Sequence, residues 1–398
     1  MGAVFWDWVN LLLRWSHVML AIAWIGTSFH FIWLDASLRR EEGQPEGVSG
    51  GSWMVHGGGF YHARKFLVAP AALPQELHWF KYEAYFTWVS GFLLLAVVYY
   101  LGADEFLIDP AVMALSPAVA IAISMGSLVA GWICYDQLCR SPIGQKTGPL
   151  AVGVFILAVG AAYAFSQVFS GRAAFLHVGA LLGTIMVANV FFIIIPNQKK
   201  VVADLIAGRA PDPALGQQAK QRSLHNNYLT LPVVLMMLSN HYPMLYARAD
   251  NWVYVAGVLV LGGLVRHYVN SKDSGITGWW FDWLLPAAAV LAVALIVSTM
   301  DFASPELPAN APPVTLAEVE HIFQQRCQAC HSAHPTDPGY KAPPKGIAFD
   351  TPDEIRRYAP VIDRMAVLTR AMPLGNKTGM TGQERAILGR WIEEGAKE

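Results

Sequence analysis

Runs of about twenty apolar residues, long enough to cross the hydrocarbon core of a bilayer as helices, recur eight times along the chain. They occupy residues 8–34, 81–101, 112–136, 150–169, 172–195, 228–246, 252–270 and 279–299. The pattern breaks after Met300. Residues 301–313 carry four prolines and no apolar run, which predicts an extended linker. Residues 314–398 then alternate polar and apolar positions as a small soluble helical domain does. Three helix starts are marked by Thr-x-x-Glu capping boxes, Thr315 with Glu318, Thr351 with Glu354 and Thr381 with Glu384, and Pro352 sits where a first-turn proline belongs. The predicted fold is all-α: an eight-helix transmembrane bundle over residues 1–300, the linker over 301–313, and a small soluble helical domain over 314–398.

Composition agrees with this division. Of 398 residues 54% are hydrophobic and 14% charged, against about 25% charged in soluble domains, and mean hydropathy is +0.36. A soluble enzyme of ordinary composition and a disordered chain are both excluded. With 28 Lys and Arg against 29 Asp and Glu, no basic surface for nucleic acid is expected. Four cysteines are too few for a disulfide scaffold, so their spacing carries the information.

Cys327-Gln328-Ala329-Cys330-His331 is a C-x-x-C-H motif, the attachment signature of a c-type haem. Two thiols three positions apart can each join a haem vinyl group, and the adjacent imidazole can ligate the iron from one side. A methionine sulfur commonly completes the coordination. Met372 is the best candidate, because Met372-Pro373-Leu374-Gly375-Asn376 reads as a loop between helices; Met365 reads as helix interior and Met380 as packing before a cap. With these ligands, residues 314–398 read as a small class I-like cytochrome c domain. A thiol pair or a zinc half-site is the competing reading. Cys134 and Cys139 have no further ligands nearby and read as ordinary buried thiols.

Charge asymmetry orients the chain. Covalent haem attachment in bacteria takes place outside the cytoplasm, so the C-terminal domain and, with eight spans, the N-terminus should be periplasmic, in an inner (plasma) membrane. Twelve Lys and Arg residues, from Arg39 to Lys272, fall in loops that this topology makes cytoplasmic, against Arg172 and Arg248 on the other side. That bias obeys the positive-inside rule without reference to haem.

Nine of twelve histidines lie in the membrane part, where ionisable groups are functional candidates. Arg14, His17, His177 and His241 fall near the periplasmic side, and His30, Asp35, Glu83, Asp136, His225, Arg266, His267 and Asp282 near the cytoplasmic side. His17-Val18 with Ile25 echoes His177-Val178 with Ile185, and Tyr85-Phe86-Thr87 echoes Tyr228-Leu229-Thr230, suggesting a 4+4 duplication. His17 and His177 would then face each other, to ligate a non-covalent haem b or flank a substrate. The bland alternative is that each caps a neighbouring carbonyl. Gly47-Val48-Ser49-Gly50-Gly51 satisfies G-x-S-x-G, but it sits in a glycine-rich loop between membrane helices, not the strand–turn–helix a nucleophile elbow requires.

Arg14-Trp15-Ser16-His17-Val18, Trp24-Ile25-Gly26-Thr27-Ser28-Phe29, Gly57-Gly58-Gly59-Phe60-Tyr61 and His78-Trp79-Phe80-Lys81-Tyr82-Glu83-Ala84, joined to a C-x-x-C-H tail, resemble the bacterial membrane-bound urate oxidases (urate hydroxylases) that end in a cytochrome c domain. The resemblance implies oxidation of urate to 5-hydroxyisourate, with electrons leaving through haem c to a periplasmic cytochrome or terminal oxidase rather than directly to oxygen. A substrate site at the cytoplasmic face would lie about 30 Å of hydrocarbon from the haem. Urate is therefore expected in the periplasmic half, near Arg14, His17, His177 and His241, with Arg14 holding the anion and a histidine accepting a proton. The competing function is a non-enzymatic, membrane-anchored cytochrome c subunit that docks another dehydrogenase or oxidase.

Overall fold

The computed structural model describes residues 2–40, 42–45, 47–66, 74, 76–248, 250–300, 307–308 and 310–397. In hydrocarbon each backbone N–H and C=O must find its partner within the chain, which an α-helix achieves locally. Accordingly the apolar runs are helices: α1 (Gly2–Ser37), α2 (Tyr82–Leu95), α3 (Pro117–Arg140), α4 (Thr147–Ser166), α5 (Gly171–Ala188) continuing through a π-helical stretch into α6 (Ile195–Ile206), α7 (Pro213–Leu238), a short α8 (Pro243–Tyr246), α9 (Asn251–Asp273), and a broken pair α10 (Trp279–Asp282) and α11 (Leu284–Met300). Among the described residues seven helical segments are long and apolar enough to cross a membrane.

The exception is α7. It begins at Pro213 rather than near 228, capped by the Asp212 side chain on the Ala214 N–H, and its first half carries Gln217, Gln218, Lys220, Gln221 and Arg222. Lys220 and Arg222 thus stand on a helix rather than in a loop. Pro232 inside α7 is received by Gly262 of α9, where a Cβ would lie 2.6 Å from the proline Cδ.

α5 is the central helix, and Phe175, Val178, Leu181, Leu182 and Ile185 on it are almost wholly buried among α3, α4 and α7. α1 lies on α2 and α5 on α7, α3 meets α5 as α9 meets α1, and α2 touches α5 as α7 touches α1, whereas α4 packs on α5 and α7 on α9 without an equally extensive counterpart.

Buried polar groups between α3, the end of α5 and α7 are satisfied in one network. Asp136 on α3 accepts from Arg222 on α7 at 2.8 Å and from Arg140 at 2.6 Å. Asn189 donates to the Tyr135 hydroxyl at 3.1 Å and to Asn226 at 2.9 Å, and Tyr135 shares a 2.7 Å hydrogen bond with His225.

Two expectations change. The glycine-rich loop is an antiparallel hairpin, β1 (Val48–His56) paired with β2 (Gly59–Phe66), so the chain is mostly rather than wholly helical. Gly57 and Gly58, at φ 60 and 79, form its two-residue turn, which only the left-handed region allows. Trp53 stacks on its cross-strand partner His62 with ring centroids 4.3 Å apart. Cys134 is exposed on α3, whereas Cys139 is buried.

Residues 301–306 and 309 of the expected linker lie outside the described residues. Beyond them α12 (Leu316–Arg326), α13 (Pro352–Arg357), α14 (Ala359–Ile362) and α15 (Gly382–Glu393) enclose a separate core of Val319, Phe323, Ile355, Val367, Leu388 and Trp391. All three expected capping boxes close, each with its threonine oxygen accepting from the glutamate N–H and the carboxylate returning to the threonine N–H.

Removing one member of a buried ion pair strands the other charge, at a cost of about 3–5 kcal/mol, whereas an exposed pair contributes about 0–1 kcal/mol. Asp136→Ala, which leaves Arg222 alone, should therefore lower the unfolding temperature in detergent far more than Asp204→Ala, which breaks the exposed Asp204–Arg209 pair. Equal shifts would show that Asp136 is not a structural anchor.

Candidate redox motif and interdomain cavity

Helix α12 ends at Arg326, and the chain turns at once: the His331 N–H donates to the Cys327 carbonyl at 2.8 Å and the Cys330 N–H to the same oxygen at 3.2 Å. Both thiols and the imidazole therefore stand on a single turn. His331 Nδ1 donates to the Ile347 carbonyl at 2.9 Å, and the ring packs against Phe349 with centroids 5.1 Å apart. With Nδ1 so engaged, Nε2 is the nitrogen left with a lone pair, the arrangement a metal-ligating histidine uses. Burial pushes the Cys327 thiol up to about 12 and also raises Cys330. Among the described residues no group of three or more His, Cys, Asp or Glu side chains gathers as a metal site.

Met372 packs against the same core as Cys327. Its backbone is tied at both ends, the N–H to the Met365 carbonyl at 2.9 Å and the carbonyl to Arg385 at 2.8 Å. Met380 is 3% exposed and serves as packing, and Met365 lies in a π-helical stretch, Asp363–Leu368. The turn Cys327–His331 and the Met372 loop together could hold a covalent haem through two thioethers, one imidazole and one thioether sulfur.

This C-terminal unit sits on the segment following α2. Lys377 pairs with Glu105 at 3.1 Å across the boundary and with Asp337 of its own unit at 2.8 Å. Beside it Gly375, at φ 55, lies so close to the other unit that a Cβ would be 2.8 Å from the Ile108 carbonyl oxygen and 2.9 Å from that of Glu105. Both obstacles are backbone and cannot swing aside.

Between the two units is a cavity of about 440 Å³, within the range of small-molecule sites. Arg172, Arg248, Arg370 and Arg385 line it, with Glu105 and Asp109 as its acids. Glu105 is engaged by Lys377, and Arg248 is engaged by Asp250 at 2.8 Å. Arg385 is 5% exposed and donates to the carbonyls of Ala366 and Met372. Burial, and then the neighbouring Arg370, pull its guanidinium down to about 10. Burial raises the Asp109 carboxyl.

Of the four residues expected around a substrate, His177 stands 6.1 Å from the Tyr99 ring, and the Tyr99 hydroxyl donates to Asn240, the chain neighbour of His241. His177 is fully buried. Its Nδ1 donates to the Ala173 carbonyl at 2.7 Å, so Nε2 accepts from Ser124 at 2.7 Å, and the Ser124 oxygen is in turn met by the Tyr100 hydroxyl at 2.9 Å. His17 Nδ1 donates to the Thr87 carbonyl at 3.0 Å, its ring seated against Gly91, where a Cβ would be 2.8 Å away. The two histidines thus bind different helices, each on a carbonyl. Arg14 donates to Asn10 at 2.5 Å on its own helix, and His241 is exposed.

A second polar cluster lies deeper. Arg266 is buried over the Phe29 ring, 3.9 Å from its centroid, and donates to Asn227 at 2.9 Å, while Asn227 Nδ2 and Asn270 Oδ1 are buried without a hydrogen-bond partner. Residue type flagged Arg266 and Asp136 in the sequence. Nothing there distinguished Arg172, Arg370 and Arg385, which become neighbours only through docking.

The molecule is thus a mostly helical protein with several membrane-length apolar helices, carrying a small domain with a thiol–imidazole turn. The family described as urate oxidase N-terminal matches residues 3–299, and the chain belongs to it; this makes it a urate oxidase-related protein. No curated protein and no solved structure matches the chain.

Gly375→Ala forces a non-glycine residue into the left-handed region against two carbonyls, at a cost of about 1–3 kcal/mol. Hydrogen exchange should quicken in residues 370–376 and 103–109 while the C-terminal core keeps its protection; unchanged exchange would mean that the close approach does not hold the units together. At Asp337, burial favours the neutral acid, but hydrogen bonds from Lys377 and the Gly339 N–H outweigh it and set the carboxyl below its usual value. A depressed folded value means stabilisation that is complete above about pH 4 and lost as pH falls through the lower, folded value. Acid titration of the same exchange readout should show this loss, and Asp337→Asn should remove it.

Proposed function

We propose that this chain is a membrane oxidoreductase that oxidises urate to 5-hydroxyisourate, with its own covalently held haem c as first electron acceptor and a periplasmic cytochrome or terminal oxidase as the next. Membership of the urate oxidase family supports the substrate. The observation that carries the electron-transfer half is the Cys327–His331 turn, with two thiols and an imidazole on one turn, the imidazole pinned through Nδ1, and Met372 on the same core.

The overall change balances as urate plus water giving 5-hydroxyisourate, two protons and two electrons. A haem c bound by Cys327, Cys330, His331 and Met372 would supply a one-electron acceptor, so two transfers are needed per urate. The residues of the chain do the remainder. Cys327 and Cys330 anchor the group, the Ile347 carbonyl orients His331, and Arg385 fixes the backbone from which Met372 projects. The helices hold this apparatus at the membrane, with the termini on the periplasmic side that the loop charges predict. A non-covalent haem b on His17 and His177 would require His177 to give up Ser124, so the two-haem reading is the weaker one.

Purified full-length protein mixed with urate under nitrogen should develop the reduced haem spectrum and form 5-hydroxyisourate at one molecule per two electrons. An oxidised spectrum that urate leaves unchanged would favour the non-enzymatic electron-transfer subunit. Met372→Ala should raise the high-spin fraction and shift the reduction potential while urate binding persists; an unaltered spectrum would remove Met372 as a ligand. Acid–acetone extraction followed by a pyridine haemochrome spectrum should leave all haem with the protein, as covalent attachment requires.

A further inference from the structure

We infer that the cavity between the membrane helices and the C-terminal domain is the binding site for the planar purine anion, with Arg172 and Arg370 as its principal contacts. The inference rests on the urate reading above and adds the place and the residues.

Three features converge there. The first is uncompensated positive charge. Arg172, Arg370 and Arg385 line the cavity, and none of them forms an ion pair with a carboxylate among the described residues. Arg172 makes a long 3.4 Å hydrogen bond to Asn240, reaches the Tyr99 hydroxyl and lies over the Phe106 ring, 5.0 Å from its centroid, all of them neutral partners. Arg370 is exposed and is held at φ 50 in the left-handed region, a conformation a non-glycine residue adopts at a cost and one associated with functional sites. Glu105 is taken by Lys377, and Asp109 faces Arg385, which leaves Arg172 and Arg370 without an acid of the cavity.

The second is the helix end. Ser170, Gly171 and Arg172 at the start of the 18-residue helix α5 line the cavity, so the positive end of the helix dipole adds to the guanidinium field. Gly171 permits this closure, because a Cβ there would lie 2.2 Å from the Tyr246 carbonyl oxygen. The third is reach. Pro373, Leu374, Gly375 and Asn376 of the Met372 loop form the opposite wall, so a molecule in the cavity touches the segment that carries the proposed haem ligand. The deeper Arg266 cluster is also cationic, but Arg266 stands fifteen residues along α9 from Asn251, a cavity residue, or about 22 Å at 1.5 Å per residue. A substrate there would need an intermediate carrier.

Guanidinium groups suit this ligand. Urate is a flat monoanion at neutral pH with carbonyl oxygens and ring nitrogens along its edges, and Arg presents a planar fork of N–H donors. The cavity has walls from both units, so the site is complete only when the C-terminal domain is docked.

The test uses the full-length holoprotein with two readouts, anaerobic urate-dependent haem reduction and calorimetric binding of 8-azaxanthine, a planar purine anion that is not a urate. Arg172→Gln and Arg370→Gln should each raise the urate KM and the 8-azaxanthine Kd about tenfold or more, with folding and haem content unchanged. Arg209→Gln, on an exposed pair away from the cavity, should alter neither. Wild-type KM and Kd in both cavity variants, with active wild-type protein, would overturn the site and leave the urate reading standing. Absence of urate-dependent reduction in the wild type would overturn the urate reading; 8-azaxanthine binding weakened by both substitutions would still establish the cavity as a purine-anion site, and no such binding would overturn both.

Discussion

Hydrocarbon offers no hydrogen bonds, so each polar atom that the chain carries into the membrane has to bring its partner with it. Most of the architecture follows from that demand. Backbone groups are satisfied by helices, and side chains by networks that fix how the helices meet. Asp136 on α3 is met by Arg140 of its own helix and by Arg222 from α7, and Arg222 reaches it only because α7 begins early enough to place it there. Tyr135, Asn189, His225 and Asn226 extend the same junction through neutral donors and acceptors. His177 shows the demand at its strictest, with both ring nitrogens committed inside the protein.

Where the chain leaves the membrane the demand relaxes, and charge takes another use. Glu105, Lys377 and Asp337 form a half-exposed chain of ion pairs that joins two independently built cores, and Gly375 lets the backbones touch. That contact aligns the Met372 loop with the start of α5. Arg172 and Arg370 at the junction form no ion pair with a carboxylate among the described residues, and a mobile anion is the natural complement. Docking and ligand binding are thereby coupled, because the same loop supplies walls to the cavity and position to the redox motif.

Local chemistry was the readable part of the sequence. The Thr-x-x-Glu boxes closed as expected because a capping box involves only four consecutive residues, and the C-x-x-C-H turn is legible for the same reason. Gly57-Gly58 between Trp53-Met54-Val55 and Phe60-Tyr61 carried a hairpin signal too, obscured by the surrounding glycines, which read as a loop. The start of α7 was missed because hydropathy registers apolar length, while its first half is held by capping and by buried polar partners. His17 and His177 drew attention as matching motifs, yet His17 bonds a carbonyl of α2 while His177 bonds one of its own helix and Ser124 of α3, a fact about neighbours rather than about spacing.

By itself, then, the sequence determined what depends on near neighbours and on solvent: the apolar helices, the boundary near residue 300, the capped helices beyond it, and the thiol–imidazole turn. The tertiary structure alone decided which charges lie together. Arg172, Arg370 and Arg385 are up to 213 residues apart in the chain, and only the docking of one domain on another brings them around a single cavity. No local rule encodes such a meeting, because its energy comes from surfaces that exist only after both domains have folded.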